Sequence, residues 1–126
     1  MLQADFDIVR INMLNMLKYS KNEYNQYKKT GNIVYLQQAG NKLFNVIENY
    51  IQLINRVRAE SFYEIKNLVR EKKLRHLLYD ARTLHRFFYN SELEMNIEDA
   101  EELYISVLSR TEQRIKRLDI GMNPNG

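Results

Sequence analysis

The 126-residue sequence contains no cysteine, which excludes both a disulfide framework and a metal site built from thiolates. One proline and four glycines leave few interruptions, and this scarcity favours long helices over many short strands. No apolar run approaches about 18 residues, so we expect no membrane span. The opening MLQADFDIV carries acids where a signal peptide requires lysine or arginine, so we expect a cytoplasmic protein.

The charge balance is mild, with 19 basic and 16 acidic residues and a formal net charge of +3. Such a balance permits a polyanionic partner without requiring one. A chain of this length fits one domain that buries about two thirds of its unfolded surface. We expect that domain to span residues 1–120 and the final GMNPNG, residues 121–126, to form a flexible tail.

Residues 32–57 predict the central helix of the fold, because their apolar side chains recur at steps of three and four. A helix with so apolar a face needs cover from other helices. Glycine in mid-helix costs about 1 kcal/mol relative to alanine, so Gly40 predicts close approach of a neighbouring helix, or else is merely tolerated. The apolar stripe comprises Leu36, Gly40, Leu43, Ile47, Tyr50, Ile54 and Val57, with Ala39, Phe44 and Ile51 beside it.

A first helix should run from about Gln3 to Lys29 and end at Gly31, which suits a left-handed cap. Asn32 can then cap the central helix. The connection is so short that these two helices should form an antiparallel hairpin. The inward residues of the first helix are Phe6, Val9, Met13, Met16 and Leu17.

Ser61 and Glu64 form a capping-box pattern that predicts a third helical segment, from Phe62 to about Asn90. Its two apolar patches are out of phase on either side of an Arg-Glu-Lys-Lys run at residues 70–73. We therefore expect a kink or a short loop near that run.

Asn96 should cap a last helix that ends near Leu118, after a connection at residues 90–95. Acids at the start of this helix and bases at its end match the helix dipole. Together these signals predict an all-α fold, an antiparallel up-down helical bundle of four main helices with the third kinked or interrupted.

Several motifs that would indicate an enzyme are missing. The sequence has no glycine-rich phosphate loop and no G-x-S-x-G motif. It has two histidines, His76 and His85, and no pair of Glu-x-x-His motifs, so a metal centre in the core of the bundle is unsupported. We expect no metal and no cofactor, and assign no role to His76.

The most informative stretch is KKLRHLLYDARTLHRFFYN, residues 72–90. On a helix its cations fall in one stripe opposite the apolar residues. Such a row suits a phosphate backbone, with the tyrosine free to stack on a base; the alternative is a solvated cationic face. The predicted nucleic-acid-binding stripe is Lys72, Arg75, Tyr79, Arg82 and Arg86.

His85 falls at the border between the apolar and basic stripes, one turn from Arg82. A histidine there is a candidate general acid or base near a phosphate. The alternative is a structural histidine at the edge of the core that is hydrogen-bonded to a backbone carbonyl.

The segment YLQQAGNKLFNVIENYI after a Gly-Asn break, followed later by ARTLHRFFYN and an acidic turn, resembles the HEPN superfamily over roughly residues 15–118. The resemblance implies an antiparallel helical bundle, usually homodimeric. Apolar or aromatic residues beyond one stripe, such as Phe44, Phe87 and Phe88, also favour a homodimer and are candidates for its interface. The resemblance also implies one of two activities. Some members cut RNA with an R-x4–6-H motif, while others are noncatalytic and bind nucleotides or RNA, or pair with a nucleotidyltransferase partner.

If His85 is the histidine of that motif, its arginine should lie at one of three positions, which are occupied by Leu78, Tyr79 and Asp80. The one formal match pairs Arg70 with His76 and precedes the Leu-His-Arg-Phe-Phe-Tyr element. The resemblance therefore implies a noncatalytic module that binds a nucleotide or RNA. The alternatives are a metal-independent endoribonuclease of toxin type that uses His85, and a structural or adaptor dimer that binds a partner protein.

Overall fold

The computed structural model describes residues 1–89 and 95–122, with side chains described for 1–87 and 95–118. Over these residues the chain is helical and contains no strand, which confirms the all-α prediction. The five helices are α1 (Gln3–Thr30), α2 (Ile33–Asn55), α3 (Phe62–Leu68), α4 (Lys72–Tyr89) and α5 (Ile97–Met122). None of them combines the length and the apolar composition that a bilayer crossing requires.

The turn between α1 and α2 has the predicted caps. Gly31 adopts a left-handed conformation with φ of 72°, and its N–H donates to the carbonyl of Tyr27 at 2.8 Å. The side-chain oxygen of Asn32 accepts from the N–H of Val34 at 3.0 Å. This short connection folds α2 back along α1.

Helix α2 supplies the centre of the core, because two of its sides are covered by other helices. Most of the predicted stripe is buried, together with Ala39, Phe44 and Ile51. Ile54 and Val57 are 41% and 44% exposed, so the prediction that they belong to the buried stripe was wrong. Val57 leaves the stripe because α2 ends at Asn55 and Arg56 adopts a left-handed φ of 53°, so Val57 no longer follows the helix. Ile54 lies in the last turn of α2, where its side chain is left partly uncovered.

Close approach at Gly40 was correctly predicted, and the neighbour is α4. A β-carbon built on Gly40 would lie 3.1 Å from the β-carbon of Leu84. Three residues earlier on α2, the side-chain amide of Gln37 donates to the carbonyl of Phe87 at 3.1 Å. These contacts bring the C-terminal half of α4 against the first half of α2.

The predicted third segment consists of two helices, α3 and α4, separated by residues 69–71. Ser61 caps α3 through its hydroxyl, which accepts from the N–H of Glu64 at 3.1 Å. The carboxylate of Glu64 accepts from the N–H of Glu60 at 2.8 Å, one residue before the partner that a capping box would use.

Helix α5 begins as predicted, since the side-chain oxygen of Asn96 accepts from the N–H of Asp99 at 2.8 Å. It continues past the predicted end at Leu118 to Met122. Three predictions lie outside the described residues or side chains. They are residues 90–94 of the predicted connection at 90–95, residues 123–126 of the predicted tail at 121–126, and the packing of Phe88; residues 121 and 122 of that predicted tail belong to α5.

A buried hydroxyl pair connects α1, α2 and α5, and the sequence analysis did not identify it. The Ser20 hydroxyl donates to the carbonyl of Ala39 at 2.7 Å. Its single hydrogen is thereby used, so the Tyr104 hydroxyl must donate to Ser20 across 2.9 Å. Both side chains are fully buried, so each polar atom needs the partner it has.

Candidate nucleic-acid interface on α4 and α5

The five residues of the predicted stripe are all exposed on α4, away from the core. Tyr79 is 37% exposed, so one part of its ring is covered. The stripe comprises Lys72, Arg75, Tyr79, Arg82 and Arg86.

Helix α3 covers one side of the stripe with an aromatic ring and a lysine. The Arg82 guanidinium carbon lies 3.9 Å from the ring centre of Phe62, within cation–π range. The Lys66 ammonium lies 5.8 Å from the ring centre of Tyr79, whose ring centre is 6.5 Å from that of Phe62. Lys66 therefore adds a cation that a wheel of α4 alone could not identify.

His85 is half-buried between α4 and α2. Its Nδ1 lies 2.7 Å from the side-chain oxygen of Asn41, so Nδ1 carries the proton in this pair. Its ring stacks on Phe44, with ring centres 4.7 Å apart. Burial, and secondarily the charge of Arg82, lower the pKa of His85 below its usual value, so the imidazole is neutral at pH 7. A catalytic role for His85 stays a prediction.

A basic cavity of about 400 Å³ lies between the first half of α4 and the second half of α5. Five of its lining residues are basic and one is acidic. Cavities of this size accommodate small ligands. The lining residues are Glu71, Lys73, His76, Leu77, Arg110, Gln113, Arg114 and Arg117.

Two of the arginines at this cavity are held by carboxylates. Arg114 makes a forked contact with Glu71, with nitrogen–oxygen distances of 2.8 and 3.2 Å. Arg110 contacts the carboxylate of Asp80 at 2.7 Å. Each pair joins a residue of α5 to one on or beside α4.

The other three bases, Lys73, His76 and Arg117, make no hydrogen bond or ion pair with any described side chain. The charges of two of them nevertheless act on Glu71. The Arg114 hydrogen bond lowers the pKa of the Glu71 carboxyl, and the charges of Lys73 and Arg117 lower it further. Three cations therefore act on one carboxylate.

The sequence analysis did not assign these cavity residues to a site. The bases of α5 were attributed to the helix dipole alone, and His76 received no role. One signal was available, since Arg110, Arg114 and Arg117 follow at steps of four and three and so share one face of α5. The one formal match to the R-x4–6-H motif pairs Arg70 with His76. His76 lines the cavity, whereas Arg70 is exposed in the connection between α3 and α4.

The described side chains contain no group of three or more histidines and carboxylates placed to hold a metal ion. Comparisons with protein families, curated proteins and solved structures find no match to this chain. The resemblance to the HEPN superfamily therefore stays a prediction from the sequence.

Proposed function

We propose that this protein binds RNA or a nucleotide through the exposed face of α4 and the adjoining α4–α5 cavity, without efficient catalysis. The observation that carries the proposal is the basic cavity, whose lining includes four arginine or lysine side chains, one histidine and one carboxylate. Arginine and lysine at such a density are the side chains that neutralise phosphates.

The stripe and the cavity adjoin at the start of α4. His76 follows Lys72 by four residues and Lys73 by three, so His76 is a neighbour of each lysine on the first turns of the helix. Lys72 belongs to the stripe, whereas Lys73 and His76 line the cavity. A strand whose phosphates follow the stripe could therefore continue into the cavity.

Local clustering supplies the attraction that the whole-chain charge does not. The net charge is only +3, so a uniformly charged surface would attract a polyanion weakly. Tyr79 offers a partly exposed ring for stacking on a base. Cations along the stripe with an aromatic ring among them suit single-stranded RNA better than a duplex, whose bases are not available for stacking.

The test is fluorescence anisotropy of labelled single-stranded RNA across a salt series. If about four phosphates are neutralised, log K should fall against log salt with a slope near −3. Replacing Arg75 and Arg82 together by alanine, or Lys73 and Arg117 together by glutamine, should flatten that slope by about one to two. Tyr79→Ala should cost about 1–3 kcal/mol with the slope unchanged.

A matched control replaces Lys18 and Lys29, two exposed lysines on α1, by glutamine. This variant loses the same charge as the cavity double variant and should change the slope much less. No detectable binding at low salt, or equal slopes for the control and both double variants, would refute the proposal.

The ribonuclease alternative is tested with the same RNA by gel analysis of cleavage. Because His85 is held by Asn41 and Phe44, we expect His85→Ala to leave RNA binding nearly unchanged. Metal-independent cleavage that disappears in His85→Ala would favour the alternative and contradict the noncatalytic proposal.

The finer architecture belongs to the same proposal, an antiparallel up-down bundle of four main helices, α1, α2, α4 and α5. The ion pairs Glu71–Arg114 and Asp80–Arg110 support it, because Glu71, just before α4, precedes Asp80 in the chain whereas its partner Arg114 follows Arg110, so α4 and α5 run in opposite directions.

We also propose a homodimer. Phe44 and Phe87, which the sequence suggested for its interface, are buried in the core and cannot form it. Three isoleucines left about half exposed are the better candidates, namely Ile8 and Ile11 on α1 and Ile105 on α5.

A further inference from the structure

Glu71 is the one acidic residue that lines the α4–α5 cavity, and its carboxylate contacts Arg114. We propose that the cavity binds a terminal polyphosphate group, and that the Glu71 carboxylate lies where one phosphate of that group binds to Arg114. Binding would then exchange one anion for another. This inference rests on the proposed function and deepens it, since it names the part of a nucleotide or RNA that enters the cavity.

The geometry of Arg114 fits either anion. Its two terminal nitrogens both contact Glu71, one to each carboxylate oxygen. A guanidinium fork makes the same paired hydrogen bonds to two oxygens of a phosphate. The Arg114–Glu71 contact therefore marks a place where two anionic oxygens are already bound in the geometry that a phosphate requires.

Of the two partners, Glu71 is the one positioned to leave. The Arg114 side chain is only 15% exposed, whereas that of Glu71 is 56% exposed. Arg114 is part of α5, and the neighbouring Tyr50 of the core also favours its charged form. Glu71 lies in the three-residue connection between α3 and α4, outside both helices. A phosphate can therefore replace Glu71 at Arg114 without any change in the packed helices.

The charges favour that exchange for a multiply charged group. Arg114, Lys73 and Arg117 all act on the single charge of Glu71, so positive charge remains in excess around it. His76 lines the same cavity and can donate a hydrogen bond. A polyphosphate brings several negative charges into a concave basic site, where they interact more strongly than on an open surface. An internal phosphate of RNA carries one charge and gains less.

The first experiment measures pyrophosphate binding by isothermal titration calorimetry. Glu71→Gln removes the competing charge with little change in shape, so we expect binding to tighten about five- to ten-fold. The matched control is Glu112→Gln, which removes one acid of α5 that pairs instead with Lys21. The control should change affinity less than about two-fold, because exposed charges at a distance are screened by salt.

Arg114→Lys keeps the positive charge and removes the fork, so it should weaken pyrophosphate binding about ten-fold or more. Lys73→Gln breaks no ion pair and should weaken binding several-fold. This last variant keeps the test decisive if Glu71→Gln lowers the melting temperature. Pyrophosphate affinity that is equal in wild type, Glu71→Gln and Lys73→Gln would overturn the proposal, and so would weaker binding in Glu71→Gln.

A second experiment separates the two sources of a polyphosphate and the two proposals. ATP is compared with RNA oligomers that carry a 5′-triphosphate or a 5′-hydroxyl. Tighter binding of the triphosphate oligomer than of both other probes assigns the cavity to an RNA end, whereas ATP binding equal to that oligomer assigns it to a free nucleotide. Pyrophosphate binding without salt-sensitive RNA binding would refute RNA as the ligand and support polyphosphate binding in the cavity. If the affinity for RNA changes neither with the 5′ group nor in Glu71→Gln, RNA binding by the stripe is supported and polyphosphate binding in the cavity is refuted.

Discussion

Replacing Glu48 by glutamine tests whether a half-buried carboxylate lowers the stability of the fold above neutral pH. Glu48 lies on α2 and lines a cavity of about 380 Å³ that is bordered by α1, α2, α3 and the α2–α3 connection. Its polar neighbours there are amides, and Glu60 is the one other ionisable side chain that lines it. With no cation in the cavity to offset it, burial raises the pKa of Glu48 to about 7.

The direction of the pH dependence of stability follows from the protons bound by the folded and unfolded states. Between pH 4.5 and 7 the folded protein holds a proton on Glu48 that the unfolded chain has released, so the unfolding free energy falls as the pH rises through this window. A shift of this size corresponds to at most about 3 kcal/mol. Because the carboxylate borders solvent, we expect about 1 to 2 kcal/mol.

Urea denaturation at pH 5 and pH 8 measures the effect for wild type and Glu48→Gln. At pH 8 the variant should be more stable than wild type by about 1 to 2 kcal/mol, whereas at pH 5 the gain should be smaller, because the folded protein still holds the Glu48 proton and the unfolded chain has released it only in part. Other titrating groups are present in both proteins and cancel in the comparison. Glu102→Gln, which changes an exposed glutamate on α5, is the matched control and should alter the unfolding free energy by less than about 0.5 kcal/mol. Equal stabilities at pH 8, or a larger gain at pH 5, would refute the reasoning.

Three further predictions concern packing and assembly. Leu43→Ala should lower the unfolding free energy by about 2–5 kcal/mol in thermal melts, because Leu43 is fully buried on α2. Ser20→Ala should cost about 1–3 kcal/mol in urea titrations, since it leaves the Tyr104 hydroxyl buried without its partner. Adding Tyr104→Phe should cost little more, and a fully additive second loss would contradict the hydroxyl pair. Light scattering at micromolar concentration should give a dimer mass for wild type and a monomer mass for Ile11→Glu; a monomeric wild type would defeat the dimer.

The capped helix boundaries were the part of the fold that the sequence predicted well, because each cap depends on a few adjacent residues. Gly31 supplies a left-handed cap, and Asn32 and Ser61 supply side-chain oxygens at helix starts. Periodicity likewise predicted most of the α2 stripe. It failed at Val57, because a helical wheel continues the hydrophobic period past Asn55, where the helix itself ends. It failed at Ile54 because a wheel does not show which part of a helix its neighbours cover.

Contacts between distant segments were not predictable in the same way. Ser20 is a small polar residue on α1, and nothing near it in the sequence indicates that Tyr104, 84 positions later, supplies its partner. On a wheel of α4 alone, Phe87 lies beyond the main apolar stripe. It is nevertheless buried, because its burial depends on packing between helices. The surroundings of such residues can be predicted only once the arrangement of the helices is known.

The candidate site shows the same limit. A wheel of α4 alone divides its residues into an apolar side and a basic side, and it leaves Lys73 and His76 between the two without a role. The cavity exists because α5 brings Arg110, Arg114 and Arg117 to that intermediate side. Lys73 and Arg75 are two residues apart on one helix, yet only Lys73 lines the cavity. Comparing Lys73→Gln with Arg75→Gln therefore separates the two parts of the surface at constant charge. Only the first should weaken pyrophosphate binding, whereas both should weaken binding of a long single-stranded RNA.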